Sequence, residues 1–334
     1  MTDRDRFSLK GPAKSCEIRR SSFLSSCGPD KCEPEERTDI TLLEFRPNGF
    51  LMRQLYTNAH HPLEWSNSYE YNEHNQLLRI RTEQGGIVTA TKLSEYDSAG
   101  RISRVYTINK DGNKRLFEAY LYGPGESKSK TVYFDPDLAK GSTCFGVDGT
   151  DAAYGAPGAT SLTSRYDDRG RPTEHLFNDD TGDLVTRVQL RFDEASNVVE
   201  EFCTQQNLPF ELMGNMNEEQ KEALRHCFGR RHRYDSQNRR IETSSNGPDY
   251  DKTTFAYNDQ GDMISAISEV STTEYNLAET GVFAPLQGTT STHRSETNLR
   301  YEYDSKLNWT EKIVEAPGGP IWSIERRSIT YFDR

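Results

Sequence analysis

Residues 95–113 read EYDSAGRISRVYTINKDGN: Tyr96-Asp97 stands ahead of Ser98-Ala99-Gly100-Arg101, and a second turn string, Asp111-Gly112-Asn113, follows a short alternating stretch. The first part spells a tight hairpin turn. An Asp or Asn side chain bonds a backbone N–H two residues on, and Gly supplies the positive φ that closes a type I turn with a bulge. The same string returns as Tyr166-Asp167-Asp168-Arg169-Gly170-Arg171 and as Tyr257-Asn258-Asp259-Gln260-Gly261-Asp262. Weaker copies begin at Phe45, Tyr71, Phe192, Tyr234 and Tyr303, a degenerate one at Tyr122, and another at Tyr331. Successive starts lie 26, 25, 26, 44, 26, 42, 23, 46 and 28 residues apart, so the chain is an internal repeat of about 25 residues, sometimes enlarged by about 20.

The second turn series recurs downstream of the first at Gly85-Gly86, Asp111-Gly112-Asn113, Thr181-Gly182-Asp183, Asn246-Gly247-Pro248 and Pro317-Gly318-Gly319. Two turns per unit mean two strands per unit. Between turns, Leu184, Thr186, Val188, Leu190 and Phe192 alternate with a mostly polar set, and Leu63, Trp65, Asn67, Tyr69 and Tyr71 do the same. This period of two predicts half-buried antiparallel strands with one aromatic and aliphatic face and one charged face. About 18 such strands at about 4.8 Å spacing form too wide a sheet to stay flat, so a curved antiparallel β-sheet ribbon is expected. The 17 tyrosines are then expected to stack from repeat to repeat as a structural ladder.

Only 33 % of residues are hydrophobic, which suits thin layers better than a thick core. The 41 Lys+Arg against 52 Asp+Glu give a net charge of −11, which argues against nucleic acid as a partner. No window approaches the roughly 18 apolar residues of a membrane helix, so no membrane span is expected. Met1–Lys10 is charged and lacks the apolar stretch of a signal peptide, which reads as cytoplasmic for the sequence as given.

Domain organisation follows from the repeat. Residues 1–38 precede it and read as a flexible tail containing Cys16, Cys27 and Cys32, either free thiols or a disulfide in an exported product; their spacing fits no zinc pattern. Residues 39–334 read as the repeat domain, with insertions near 135–159, 205–228 and 271–298. The middle insertion carries the one expected helix, near 218–227. Asn217 is a good N-cap, and Ala223, Leu224, Cys227 and Phe228 share a side that would dock on the sheet.

Catalytic chemistry is sparsely signalled. The seven His are scattered, with no His-Glu-x-x-His, G-x-S-x-G or phosphate-cradling Gly loop. His226, Cys227 and His232 are close in sequence, but beside Arg230, Arg231 and Arg233 they read more simply as a basic surface. Asp135, Asp137, Asp148 and Asp151 lack the spacing of a calcium loop. No catalytic, cofactor or metal site is expected. An enzyme built from the insertions would draw on Asp148, Asp151, His226 or His293.

The strings at 95–113 and 163–183 resemble the YD repeat of the RHS family: Tyr-Asp, two variable residues, Gly-Arg, a short strand and a Gly-containing second turn. The resemblance covers roughly residues 40–334 and rests on Tyr96, Asp97, Gly100 and Arg101, on Tyr166, Asp167, Gly170 and Arg171, and on Tyr257, Asn258 and Gly261. Elsewhere the pattern is decayed, with Asn75, Ser196, Asn238 and Leu307 standing where Gly is expected. The resemblance implies a β-sheet ribbon that spirals into a shell, a cell-surface or secreted setting, and carbohydrate or protein contacts. A non-enzymatic module that binds a protein or carbohydrate partner is therefore expected, with a glycan-active enzyme or a structural part of a toxin or secretion system as alternatives.

Overall fold

The structure is a computed structural model that describes residues 2–28, 31–58, 61–123, 129–134, 144–146, 153–156, 158–205, 228–245, 250–277 and 283–332. Among these the chain is all-β apart from one four-residue helix, α1 (Asp3–Arg6). The strands are β1 (Ala13–Gly28), β2 (Lys31–Phe45), β3 (Leu51–Asn58), β4 (His61–Tyr71), β5 (Leu77–Gln84), β6 (Ile87–Tyr96), β7 (Ile102–Asn109) and β8 (Lys114–Tyr122). Next come β9 (Ser129–Phe134), β10 (Cys144–Gly146), β11 (Ala153–Gly155), β12 (Ser161–Tyr166), β13 (Pro172–Asn178), β14 (Leu184–Phe192) and β15 (Val198–Gln205). The last are β16 (Phe228–Tyr234), β17 (Arg240–Ser245), β18 (Tyr250–Tyr257), β19 (Met263–Leu277), β20 (Phe283–Tyr303), β21 (Trp309–Glu315) and β22 (Ile321–Tyr331).

The chain divides into two compact units. The first comprises Met1–Leu116, Tyr257–Ser265 and Glu296–Arg334. Its strands run, neighbour to neighbour and all antiparallel, from the end of β20 through β21, β22, β1, β2, β3, β4, β5 and β6 to β7. Its core gathers Leu9, Ala13, Cys16, Leu43, Phe45 and Leu51, with Phe7, Ile18, Tyr69, Ile329 and Tyr331 packed against it. Burying a Leu or Phe side chain in this way contributes about 1.5–3 kcal/mol.

The stretch expected to be a flexible tail is therefore different in its described part. β1 lies between β2 and β22, and Cys16 is fully buried and free, its thiol pushed up to about 11 by burial. The physical reason is the alternation in residues 13–20, where Cys16 and Ile18 give the segment a core face despite its polar composition. α1 seats the same segment on the first motif turn: Arg4 N–H donates to Gly49 O at 3.1 Å, and Asp3 accepts from Leu51 N–H at 2.7 Å.

The second unit comprises Phe117–Ala256 and Ala266–Ser295. Its antiparallel order is β8, β9, β12, β13, β14, β15, β16, β17 and β18, with β10 and β11 forming a separate two-stranded sheet. Its core gathers Ala156, Ala159, Leu162, Phe177, Val188, Leu190 and Cys203. In β14 the expected inward set is realised at Thr186, Val188 and Leu190, while Gln189 and Arg191 on the alternate positions are exposed.

That opposite face is built from glutamates clasped between cations of flanking strands. Glu174 takes Arg165 at 2.6 Å and Arg187 at 2.5 Å, Glu200 takes Arg191 and Arg231, and Glu242 takes Arg233 and Lys252. Of the insertions, residues 206–227, and with them the expected helix, lie outside the described residues. The third departs from a loop: residues 271–277 and 283–298 prolong β19 and β20, which are 15 and 21 residues long.

Candidate functional site

The motif turns come first because they use up most of the polar groups that the sequence singles out. In the turn after Tyr96, Asp97 Oδ1 accepts the backbone N–H groups of Ala99 and Arg101, Asp97 Oδ2 accepts Arg101 Nε at 2.9 Å, and Gly100 sits at φ 76°. After Tyr166, Asp167 accepts Arg169 N–H, Arg171 N–H and Arg171 Nε, and Gly170 sits at φ 75°. After Tyr257, Asn258 accepts Asp262 N–H and Gly261 sits at φ 88°. These bonds hold the Asp97, Asp167 and Asp235 carboxyls below the usual range, the backbone N–H of the arginine four residues on being the largest cause. The decayed copies keep the same turn: Asn75, Ser196, Asn238 and Leu307 all adopt positive φ, at 59°, 72°, 60° and 60°.

Each turn is then tied to the next repeat. Tyr96 Oη donates to Leu77 O and Tyr234 Oη to Val198 O, both at 2.9 Å. Tyr303 Oη donates to Asp262 at 2.6 Å and Tyr331 Oη donates to Asp304. Burial, with the carboxylate as acceptor, pushes both of these phenols up to about 12. The turn at Arg46-Pro47-Asn48-Gly49 carries no carboxylate, and Asp3 of α1 supplies one to Tyr71 Oη at 2.9 Å. The motif tyrosines described here thus clasp the preceding turn through their hydroxyls, where ring-on-ring stacking was expected. Cations complete the joint, Arg46 lying over Tyr71 and Arg171 over Phe192. The singled-out residues meet within their own turns and are not gathered into one site.

A different group of side chains shares the uncharged face of β3, β4 and β5, half-buried apart from Trp65. Tyr56, Trp65 and Gln84 are cross-strand partners on β3, β4 and β5, and Gln54, Asn67 and Thr82 form the adjoining row on the same face. Tyr69 and Ile80 pair in the next row. Thr82 Oγ1 donates to Asn67 Oδ1 at 2.8 Å and Tyr69 Oη to Gln54 Oε1 at 3.2 Å, which fixes the amides between the rings. Trp65 remains 44 % exposed. The alternate residues of the same strands, Arg53, Glu70, Arg79, Arg81 and Glu83, put the charges on the other face, where Arg79 pairs with Glu70 and Arg81 with Glu83.

Of the catalytic candidates, Asp148, Asp151 and His226 lie outside the described residues, as does Cys227. His293 is an exposed residue of β20. His232 is not part of a basic surface. Its ring is buried on the second unit's sheet, with Nε2 3.0 Å from Glu201 Oε1 and Nδ1 3.0 Å from Thr243 Oγ1. These three line a cavity of about 230 Å3 together with Arg230, Arg240 and Phe255. The geometry joins a hydroxyl, an imidazole and a carboxylate. Another fully buried pair, Ser164 Oγ at 2.9 Å from His175 Nδ1, shows the same cross-strand His–hydroxyl contact. Sequence reading singled out His232 but assigned it to a basic surface, because only the register brings Glu201 and Thr243 beside it. Among the described residues no group of His, Cys, Asp and Glu is placed to hold a metal, and no helix is long and apolar enough to cross a membrane.

No family model and no curated protein matches the chain. Among solved structures, a porin-like protein from Bacteroides uniformis ATCC 8492 is similar at 8 % identity over 96 % of this chain and 98 % of that one, with a TM-score of 0.36. TcdB2-TccC3-Cdc42 is similar at 12 % identity over 85 % of this chain and 19 % of that one, and TcdB2-TccC3-TEV at 12 % over 92 % and 19 %, with TM-scores of 0.20 and 0.21. This chain spans about a fifth of those two. All three scores lie below 0.5, so the all-β assignment rests on the strand pairing itself.

Proposed function

We propose that this chain is a non-enzymatic β-repeat module that binds a protein or carbohydrate partner through the uncharged face of β3, β4 and β5. On this reading its two-strand units form a curved ribbon like the repeat region of RHS proteins, in a secreted or cell-surface setting. One observation carries the proposal: Trp65, 44 % exposed, stands between Tyr56 and Gln84 on a face whose alternate positions hold all the charge. An exposed indole flanked by a phenol and an amide offers contact area and hydrogen bonds together, which is the chemistry of recognition surfaces. The turn edge supports this by exclusion, since its carboxylates and arginines are engaged with one another.

The test is to screen wild type and Trp65→Ala side by side on glycan and protein arrays. Hits that depend on Trp65 are expected, with an unchanged thermal melt. Identical hits for the two proteins would remove the site from this face. The cavity at His232 favours the enzymatic alternative, and it makes a separate demand. A glycan-active enzyme should show turnover of an array hit that His232→Gln abolishes without loss of binding.

A further inference from the structure

We propose that the charged face of β12 to β18 in the second unit is a binding surface of its own, fitted to a linear acidic polysaccharide that carries one carboxylate or sulfate on every second sugar. The proposal goes beyond the reading above and does not rest on Trp65. Its first ground is a local surplus of positive charge on a chain whose net charge is −11. At the paired positions of this face, Arg165, Arg187, Arg191, Arg231, Arg233 and Lys252 stand against only Glu174, Glu200 and Glu242. Each carboxylate is shared by two cations, so each clasp keeps one positive charge in excess. The acids also lie deeper than the bases. Glu200 is 16 % exposed, whereas Arg191 and Arg231 are 71 % and 58 % exposed, so an approaching ligand meets guanidinium groups first. Among the described residues, Arg165, Arg191, Arg231 and Arg233 each hydrogen-bond their glutamate through a single nitrogen, which leaves further N–H donors for an anion.

The second ground is spacing. The cations sit on β12, β14, β16 and β18, and the glutamates on the strands between. Two strand spacings of about 4.8 Å put successive cationic strands about 10 Å apart, and the row as a whole spans about 30 Å. A polysaccharide with its anionic group on alternate sugars repeats on that interval. Duplex phosphates do not, since they fall about every 1.7 Å along the axis and would meet the repulsion of the whole acidic chain. The third ground is the chemistry beside the cations. A hollow of about 350 Å3 is lined by Thr173, Glu174, Gln189, Leu190, Arg191 and Phe202, with the Arg191 guanidinium 5.6 Å from the centre of the Phe202 ring. Glu174 is already held there by two arginines. An aromatic ring, an amide and a guanidinium side by side match the C–H face, the hydroxyls and the charged group of one acidic sugar.

The probes are tetra- and octasaccharides of hyaluronate, which carries a carboxylate on alternate sugars, and of κ-carrageenan, which carries a sulfate. Malto-octaose, a single-stranded DNA of about 20 nucleotides and phosphatidylglycerol vesicles are the comparisons. Binding to the full chain is measured by calorimetry at about 50 and about 500 mM NaCl. At least one acidic octasaccharide is expected to bind, at least tenfold more tightly than its tetrasaccharide, and to lose at least tenfold in affinity between the two salts. Malto-octaose should not bind. Arg191→Gln, Arg231→Gln and Arg233→Gln should each weaken binding at least threefold, while Arg79→Gln, which removes the same charge from the first unit's sheet, leaves it unchanged. If the arginine variants melt early, the chain-length and salt comparisons on the wild type carry the test.

Equal binding of octasaccharide and tetrasaccharide overturns the extended row. Indifference to salt, or equal binding of malto-octaose, overturns the charge recognition. Binding of DNA or vesicles but of neither acidic octasaccharide overturns the polysaccharide. Acidic-octasaccharide binding that survives all three arginine substitutions overturns the face, and binding by no probe overturns the proposal as a whole.

Discussion

Leu307 adopts φ 60° in a turn where Gly100 and Gly170 sit at 76° and 75°. A leucine there strains its Cβ against the following carbonyl, by about 1–2 kcal/mol, whereas glycine is indifferent. Leu307→Gly is therefore expected to raise stability by about 1 kcal/mol, part of the relief being returned to the more flexible unfolded chain. Gly100→Val and Gly170→Val are expected to lower it by at least as much, and denaturant melts of the three variants check both signs. Charge acts at the same positions. The Asp97, Asp167 and Asp235 carboxyls are held below their ordinary value of 3.8, so the folded chain prefers them ionised. Their contribution is present above that value and lost as the pH falls through the depressed ones. Carboxyl titrations followed by NMR should place these groups below the ordinary aspartate value, and in Asp97→Asn, which copies the natural Asn258, the acid-side loss of stability should be smaller. Sequence showed the turn and its glycines because their chemistry is local. It did not show that Leu307 and Ser196 would hold the same backbone, since there the neighbouring strands impose a conformation that the residue disfavours.

Strands in this chain carry two unlike faces, and the alternation in β14 was readable before any pairing was known. The clasps were not, because Glu174 reaches Arg165 and Arg187 across two different strands and only the register sets them together. The Glu174 side chain is 9 % exposed while its arginines are 59 % and 43 % exposed, so the clasp is half sheltered. Glu174→Gln is expected to cost about 1–2 kcal/mol after allowing for solvent on the arginine side. Glu70→Gln, in the open pair with Arg79, should change stability by less than about 0.5 kcal/mol. Urea midpoints of the two variants separate these outcomes. The strip at Trp65 follows the same logic of partial legibility. Its aromatics stood out along β4, whereas Gln54, Thr82 and Gln84 became its neighbours only through cross-strand register.

For the molecule as a whole, the repeat set the all-β character correctly, and the N-terminal segment departed most from expectation. Its polar composition hid a strand whose hydrogen bonds go both to β2 and to β22. Ending the chain at Glu315 removes β22 and leaves β1 with an unpaired edge, which is the kind of margin that recruits other chains. Such a truncation is expected to form oligomers in size-exclusion chromatography with light scattering, and a monomer with an unchanged melt would show that β22 is dispensable. The pairing also bears on how the chain is made. Ser15 and Thr330, whose hydroxyls meet at 2.6 Å, are separated by 315 positions. At about 5–20 residues per second, a ribosome needs on the order of 15–60 s between delivering the one partner and the other. Through that interval β1 has β2 beside it but lacks β22, which makes its open edge the natural place for a chaperone to act and for misassembly between neighbouring polysomes to begin.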